Sequence, residues 1–174
     1  MQSDRKQRLE TFVRSLVRDE MLRQQSPWEG VPDVPSALDS ERVVLGAMIL
    51  GEPAPESVRE DDFHVESHRI IFAALKELGK TDLILLADHL RRPAEGTNRT
   101  VLDQIGGPAY LASLTEGIPR GVVLGPHAAI LRRKRRLREI MAVCLQATSD
   151  CRNGEDPEAI LLSILVGCRE AGAQ

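Results

Sequence analysis

The tripeptide Gly79-Lys80-Thr81 matches the last three residues of a P-loop, in which backbone N–H groups wrap the phosphates of a nucleotide. Such a loop follows a strand and has a second glycine five residues before the Gly-Lys pair. Position 74 is instead Ala74, and the intervening residues ALKEL favour a helix. We therefore interpret Gly79 as the end of a helix and expect no ATP binding at this tripeptide.

His64 and His68 are four residues apart, so on one helix both imidazoles could face a single metal ion. The nearby acids are Asp61, Asp62 and Glu66, and the spacing does not fix any of them as a third ligand. Two ligands do not complete a metal site. We expect no metal and no cofactor, and the residues offer no set of nucleophile, base or paired carboxylates for an enzyme.

Six of the seven residues in RRKRRLR, residues 132 to 138, are basic. On a helix they point in nearly every direction. They could form a phosphate-contacting patch with salt-sensitive affinity for nucleic acid, or a solvated helix face that meets acidic neighbours. We favour the solvated face, because the net charge is −3 and no aromatic residues interleave to stack bases. The candidate nucleic-acid contacts are Arg132, Arg133, Arg135 and Arg136.

The composition favours helices around an aliphatic core. Of the 174 residues, 42% are hydrophobic but only 3% are aromatic. Apolar runs such as VVLGAMIL are much shorter than the roughly 20 residues of a membrane span, which predicts a cytoplasmic protein without membrane contact. The three cysteines lack CxxC spacing, which argues against a zinc site or a disulfide framework. Packing is the expected role of Cys144, Cys151 and Cys168.

Four segments are predicted along the chain. Residues 1–25 hold an amphipathic helix, and residues 26–35 form a proline-rich, extended linker. Residues 36–125 hold short amphipathic helices that form a bundle, and residues 126–171 form a helical hairpin. The apolar positions of the first helix are Leu9, Phe12, Val13, Leu16, Val17, Met21 and Leu22.

Local signals mark helix ends inside the bundle. Ser36 and Asp39 resemble a capping box at the start of its first helix. Gly79 suits the left-handed residue that ends a helix, and Asp82 is a good N-cap for the next helix. Both glycines in IGGPAYL are interpreted as a helix boundary rather than a ligand loop, since a proline follows them.

Four stretches of the bundle resemble the N-terminal domain of bacterial DnaB-type replicative helicases in order and approximate spacing. They are PSALDSERVVLGAMIL, DDFHVESHRIIFAAL, DLILLADHL and LDQIGGPAYLASL, and the resemblance covers about residues 35–170. The matching positions are Pro35, Leu38, Glu41, Leu45, Gly46, Asp62, Phe63, His68, Arg69, Phe72, Gly106, Gly107, Tyr110, Leu111 and Arg138.

The resemblance implies an all-α domain in which a globular bundle is followed by a helical hairpin. It further implies that hairpins pair into dimers, that three dimers form a collar over a ring of ATPase motors, and that primase docks on the collar. It also makes His68 a packing or hydrogen-bonding residue. Two features depart from the family pattern: the ATPase motor with its linker helix is absent, and the first 25 residues have no counterpart.

An apolar pattern predicts the hairpin independently of the resemblance. The positions Leu137, Met141, Cys144, Thr148 and Cys151 advance by four, three, four and three residues, as in a coiled-coil seam. The second helix carries Ile160, Leu161, Ile164, Leu165 and Cys168. A hairpin needs one stripe per helix, so the additional apolar residues predict a homodimer or higher oligomer. The predicted dimer interface is Leu137, Ile140, Met141, Cys144, Ile160, Ile164 and Leu165.

Two functional interpretations follow from the sequence. The preferred one is a non-catalytic assembly and primase-docking domain of a DnaB-like helicase, which by itself neither binds ATP nor unwinds DNA. The alternative is a small stand-alone helical protein that binds nucleic acid, or regulates replication, through residues 132–138. Only the alternative predicts binding to nucleic acid with an affinity that falls steeply as the salt concentration rises.

Overall fold

The structure, a computed structural model, describes residues 33–79, 82–94, 96 and 98–172. Regular structure in these ranges is helical apart from one isolated bridge between Pro93 and Thr100, and the predicted all-α fold is confirmed. The helices of the described part are α1 Leu38–Ile49, α2 Glu66–Leu78, α3 Leu83–His89, α4 Val101–Gln104, α5 Gly107–Thr115, α6 Leu124–Asn153 and α7 Pro157–Gly172. A 3-10 turn, Glu60–Asp62, precedes α2.

Parts of the sequence predictions fall outside the described residues. These are the amphipathic helix of residues 1–25 and most of the linker, together with Lys80 and Thr81 of the P-loop-like tripeptide. Within the described ranges, no helix combines the length and the apolar character that crossing a bilayer requires.

The helix ends follow local capping chemistry at most of the positions that the sequence marks. Asp82 caps α3, because its Oδ1 accepts two backbone N–H groups of the first turn at 2.8 and 3.0 Å. Gly79 ends α2 with a φ of 68°, a conformation that favours glycine. The capping box predicted at Ser36 is wrong, because Ala37 occupies the N-cap position of α1 and no side chain caps that helix.

The bundle core is aliphatic around a pair of phenylalanines. The ring centroids of Phe63 and Phe72 are 4.9 Å apart, and both side chains are buried. The other core residues are Val44, Leu45, Met48, Ile49, Val58, Ile71, Ala74, Leu75, Leu86, Leu90, Leu102, Ile105, Leu111, Leu114, Ala128 and Leu131. Burial of each large aliphatic side chain contributes about 1.5–3 kcal/mol, so this core supplies the main driving force for folding.

Helix α6 belongs to both the bundle and the hairpin. Its first half buries Ala128 and Leu131 in the bundle core, and its second half packs along α7. The predicted division between residues 125 and 126 therefore lies within the first turn of this helix. Gly154, with a φ of 74°, ends α6, and Asp156 then caps α7 by accepting a backbone N–H at 3.0 Å.

The hairpin closes on small side chains. A Cβ atom added to Gly167 would lie 2.6 Å from a methyl group of Val143, so α6 and α7 approach closely at this level. The other residues of this seam are Ala147 on α6 and Ile160, Ile164 and Ala171 on α7. The seam predicted from four- and three-residue steps is wrong, since Cys144, Cys151 and Cys168 are all exposed.

The observed seam lies about one residue before the predicted one. Ala147 is buried where Thr148 was expected, and Gly167 makes the close contact where Cys168 was expected. Gly167 and Ala147 let the two backbones approach, and with this rotation Leu161 and Leu165 are left outside the seam. The packing role predicted for the three cysteines is therefore not fulfilled within this chain.

Candidate functional site

His68 on α2 lies at the centre of a buried polar chain that joins three helices. Its Nδ1 donates to Oε2 of Glu41 on α1 at 2.6 Å, and the hydroxyl of Tyr110 on α5 donates to its Nε2 at 2.7 Å. Each ring nitrogen of His68 therefore has one hydrogen-bond partner, a carboxylate at Nδ1 and a phenol at Nε2. The prediction that His68 is a hydrogen-bonding residue is confirmed.

Glu41 also lies at the N-terminal end of α2. Its Oε1 accepts the backbone N–H of His64 at 2.7 Å, and its Oε2 accepts that of Val65 at 3.4 Å. Burial acts to raise the pKa of Glu41, but the hydrogen bond from His68 and these two N–H groups outweigh it and lower the pKa below 4.5. The carboxylate therefore stays ionised and stabilises the positive end of the helix dipole.

A second buried cluster joins the 3-10 turn to α6. Arg135 Nε donates to Oδ1 of Asp62 at 2.8 Å, and Arg135 also donates to Glu139. The other oxygen of Asp62 accepts the backbone N–H of Arg59 at 2.7 Å. Burial acts to lower the pKa of Arg135, but the hydrogen bond to Asp62 and the charge of Glu139 raise it overall. The guanidinium of Arg135 therefore keeps its positive charge although it is buried.

Arg138 follows on the same helix and binds backbone carbonyl groups. Its Nη1 donates to the carbonyl oxygen of Pro35 at 3.0 Å, and its Nη2 donates to those of Asp61 and Asp62 at 2.8 and 2.9 Å. Burial lowers the pKa of Arg138, and the charge of Arg69 acts in the same direction. Arg138 therefore ties the start of the domain and the 3-10 turn to the point where α6 leaves the bundle.

These clusters hold helices together. In the ranges that the structure describes, no group of three or more His, Cys, Asp or Glu side chains could hold a metal ion. Both ring nitrogens of His68 are hydrogen-bonded, one to Glu41 and the other to Tyr110. Burial lowers the pKa of His64, and the charge of Arg138 acts in the same direction. At the P-loop-like tripeptide, the residues before Gly79 belong to helix α2 rather than to a strand and a loop.

The basic run of α6 is divided between buried and exposed positions. The structure excludes Arg135 from the predicted nucleic-acid contacts, because its guanidinium is buried and bonded to Asp62. Arg132, Arg133 and Arg136 are exposed and remain candidate contacts. The helical period of 3.6 residues explains the division, since one side of the helix must face the bundle.

The seam leaves two exposed sides on the hairpin. The two helices are antiparallel, and each residue is rotated by about 100° around the helix axis from the residue before it. The residues directly after the seam positions of α6 and of α7 therefore lie on the same side of the hairpin. This side, the front face, carries Leu137, Ile140, Cys144 and Cys151 of α6 and Leu161, Leu165 and Cys168 of α7. The opposite side, the rear face, carries Ala142 and Ser149 of α6 and Ala159 and Val166 of α7.

The front face is apolar over both helices. Leu161 is 61% exposed, Leu165 is 68% exposed and Ile140 is 43% exposed. Monomeric proteins seldom expose a contiguous apolar surface of this kind unless it binds something. The front face is therefore the candidate interaction surface of the hairpin.

The predicted dimer interface corresponds only partly to the front face. Four of its residues lie there: Leu137, Ile140, Cys144 and Leu165. Met141 is half-buried beside them. Ile160 and Ile164 belong to the seam instead, where they close the hairpin against α6, so they are removed from the interface. Leu161 also lies on the front face, where the sequence analysis did not place it because the sequence alone puts it equally well in the seam.

The sequence reasoning also missed Glu41 as the partner of His68. The two residues are 27 positions apart and lie on different helices. A weak signal exists, because Glu41 precedes Val44 and Leu45 by three and four residues and so shares their core-facing side of α1. A polar residue in that stripe requires a buried partner, but the spacing does not say which one.

Comparison with known proteins places this fold in a family. The family model for the DnaB-like helicase N terminal domain matches residues 33–133, which include Glu41, Asp62, His68 and Tyr110. The replicative DNA helicase DnaB of Haemophilus influenzae is 34% identical over 117 residues, which cover 63% of this chain and 24% of that relative. The corresponding protein of Treponema pallidum is 38% identical over 93 residues, which cover 49% of this chain and 20% of that relative. The chain thus spans about a quarter of the first of these relatives.

A solved structure shares the architecture. The crystal structure of the N-terminal domain of DnaB helicase from Mycobacterium tuberculosis matches with a TM-score of 0.68 and 24% identity. The match covers 79% of this chain and 99% of that domain, so the fold is the same. Since the family model also matches more than half of the chain, the chain belongs to the family of DnaB-like helicase N-terminal domains.

Proposed function

We propose that the chain is an assembly module of a replicative DNA helicase whose front face pairs with the front face of a second copy. The observation that carries the proposal is the apolar surface that both hairpin helices expose after the seam has closed. In a two-fold dimer each front-face residue is buried twice, once in each copy. Because association itself opposes binding, we expect a dissociation constant on the order of micromolar.

The wider role of the pairing follows from the family. In a helicase of which this domain forms the N-terminal part, paired hairpins would hold the motors of a ring together, and the collar would offer primase a docking surface. Membership in the DnaB family and relatives that are replicative DNA helicases support this role. In this proposal the module acts in the cytoplasm and contributes assembly rather than catalysis, as the match to an N-terminal domain of a helicase family supports.

The test compares one substitution on the front face with the same substitution elsewhere. Leu165→Asp removes a front-face side chain that the hairpin itself does not need, whereas Ile164→Asp would also damage the seam. Ile84→Asp is the matched control, because Ile84 is 79% exposed on α3 of the bundle. Each substitution adds the same charge to an exposed aliphatic position.

Sedimentation equilibrium from about 1 to about 500 μM should show a monomer–dimer equilibrium for the unmodified chain. Leu165→Asp should shift the chain to a folded monomer, because two carboxylates would enter an apolar interface. Ile84→Asp should leave the equilibrium unchanged. A chain that remains monomeric over the whole range, or an equal effect of both variants, would contradict pairing through the front face.

A second candidate function is weak binding of a polyanion by α6. The exposure of Arg132, Arg133 and Arg136 favours it. The negative net charge of the chain opposes it, so the expected affinity is low and sensitive to salt.

A further inference from the structure

We infer that the exposed arginines near the bundle end of α6 bind the acidic hairpin turn of a second copy. These contacts hold two hairpins antiparallel, with the base of each beside the turn of the other. The base is residues 130–137 and the turn is residues 150–158. The inference rests on the proposed pairing through the front face, to which it adds a direction and a second set of contacts.

The front face continues along α6 into the base. Ile130, Leu137, Cys144 and Cys151 follow one another at seven-residue intervals, about two helical turns, so they lie in one stripe. Ile130 is 42% exposed, although its neighbour Leu131 belongs to the bundle core. The surface offered to a partner therefore extends from the hairpin to the segment of α6 that packs on the bundle.

Arg133 adds a positive charge to this stripe. It follows Ile130 by three residues and precedes Leu137 by four, so it shares their side of the helix, and its side chain is exposed. Arg132 is exposed beside it. The bundle covers the opposite side, because Arg135 is rotated by about 200° from Arg133 and is buried. A partner can therefore reach Arg133 without displacing the bundle.

The turn at the far end of the hairpin is acidic. It carries four acidic side chains and one basic side chain, a formal charge of −3, and both Glu155 and Glu158 are exposed. Glu158 precedes Leu161 by three residues and Leu165 by seven, so it lies on the front-face side of α7. The base has five basic and no acidic residues, so the two ends of the hairpin are opposite in charge.

The two charged ends are too far apart to attract each other within one copy. Arg133 is about 30 Å from Asn153 along the axis of α6. At physiological salt the Debye length is about 8 Å, so the interaction between charges at that distance is screened. Attraction between base and turn therefore requires a second copy.

The charges favour one of the two directions in which the front faces of two copies can pair. With the two-fold axis along the hairpin, the copies are parallel, so base lies against base and turn against turn. Like charges then meet at both ends, which is unfavourable. With the two-fold axis across the hairpin, the copies are antiparallel and opposite charges meet at both ends. Charge complementarity thus favours antiparallel pairing.

The apolar contacts and the ion pairs require the same register. With Arg133 beside Glu155 of the second copy, the two-fold axis passes near Cys144, which is midway between these positions in sequence. Leu137 then lies at the level of Cys151 of the second copy, and both belong to the exposed stripe. Ion pairs at the two ends and apolar burial between them therefore form together.

Reversal of the charges at each end tests the inference. The base-reversed chain carries Arg132→Glu and Arg133→Glu, and the turn-reversed chain carries Glu155→Lys and Glu158→Lys. The doubly reversed chain carries all four substitutions and has the same net charge as the unmodified chain. It therefore separates the pairing of specific charges from an effect of net charge.

Sedimentation equilibrium at low salt measures the dissociation constant of each dimer. Reversal of one end should raise it at least about tenfold, because repulsive contacts replace attractive ones at both ends of an antiparallel dimer. The doubly reversed chain should regain the affinity of the unmodified chain, and salt at about 0.5 M should reduce all the differences. The matched control, Arg91→Glu with Arg120→Glu, makes the same change of charge at exposed positions of the bundle and should have a much smaller effect.

Circular dichroism separates loss of pairing from loss of folding. The replaced residues are exposed, so the helix content of each variant should match that of the unmodified chain. Neutral replacements, Arg133→Gln and Glu158→Gln, provide a milder test, since each should weaken the dimer and reduce its dependence on salt. A dependence on salt that neither replacement reduces would contradict the inferred contacts.

The remaining outcomes distinguish this inference from the proposal on which it rests. Reversals that leave the dissociation constant unchanged, or a doubly reversed chain that stays as weak as the two others, would overturn the inference and leave front-face pairing intact. A base-reversed chain that loses DNA binding but dimerises normally would assign the basic run to nucleic acid instead. An unmodified chain that never dimerises would refute the proposed pairing itself.

Discussion

A Cβ atom added to Gly46 would lie 2.1 Å from the carbonyl oxygen of Leu114, because α1 and α5 touch at this point. The obstructing atom belongs to the backbone, so it cannot turn away as the end of a side chain can. A side-chain carbon of Ile118 would be only 2.9 Å away as well. Close approach of two helices, rather than an unusual backbone conformation, therefore requires glycine at position 46.

We predict that Gly46→Ala destabilises the domain by about 1–3 kcal/mol through overpacking. This loss should exceed the gain of about 1 kcal/mol that alanine brings to a helix interior. Gly125→Ala is the matched control, since nothing lies within 4 Å of the added methyl group, and it should be neutral or stabilising. Urea denaturation gives both values, and a Gly46→Ala variant as stable as the parent would contradict the predicted contact.

Arg135→Met should lower the free energy of unfolding by about 3–5 kcal/mol, because it leaves the carboxylate of Asp62 buried without its partner. Arg133→Met, two residues away on the exposed side of α6, should change it by no more than about 0.5 kcal/mol. Denaturant melts at neutral pH compare the two. Adding Asp62→Asn to Arg135→Met should recover part of the loss, and no recovery would show that the ion pair is not its cause.

The stability of the domain should fall on acidification partly through Glu41. Its folded pKa lies below 4.5, so ionised Glu41 contributes stability that is fully present above pH 4.5 and is lost as the pH falls through the folded pKa. Glu41→Gln should be less stable at neutral pH and lose less stability below pH 4.5. Exposed Glu116 supplies the control variant, Glu116→Gln. Unfolding midpoints measured from neutral to acidic pH would contradict this role if Glu41→Gln and the parent declined in parallel.

Binding of the chain to duplex DNA should be weak and independent of sequence at physiological salt. Replacing Arg132, Arg133 and Arg136 with glutamine should weaken it further and reduce the salt slope by about 0.9 for each DNA phosphate that the variant no longer neutralises. A control that replaces the exposed Arg91, Arg92 and Arg120 with glutamine removes the same three charges and tests whether net charge alone is responsible. Fluorescence anisotropy over a salt series measures both slopes, and a tight, salt-resistant complex would favour the nucleic-acid-binding function instead.

The basic run shows how far a repeated residue type can be interpreted from sequence. Periodicity predicts that some of its arginines must face inward, because no helix side is free of them. It does not predict that Arg135 meets Asp62, which is 73 residues away in sequence. In the structure Arg135, which the sequence predicted as a nucleic-acid contact, instead forms a buried ion pair with Asp62. Arg132, Arg133 and Arg136 are exposed.

Features that depend on a few neighbouring residues could be predicted from the sequence alone. The N-cap of α3 at Asp82 and the end of α2 at Gly79 are local, because capping involves only the adjacent turn. Apolar periodicity likewise predicted a hairpin of two helices near the C-terminus. The rotation of those helices depends on tertiary packing, because the close contact of Val143 with Gly167 selects which apolar stripe faces inward. The front face is exposed for the same reason, since several stripes are apolar enough to close the hairpin and packing selects the one in which Gly167 lets α6 and α7 approach closely.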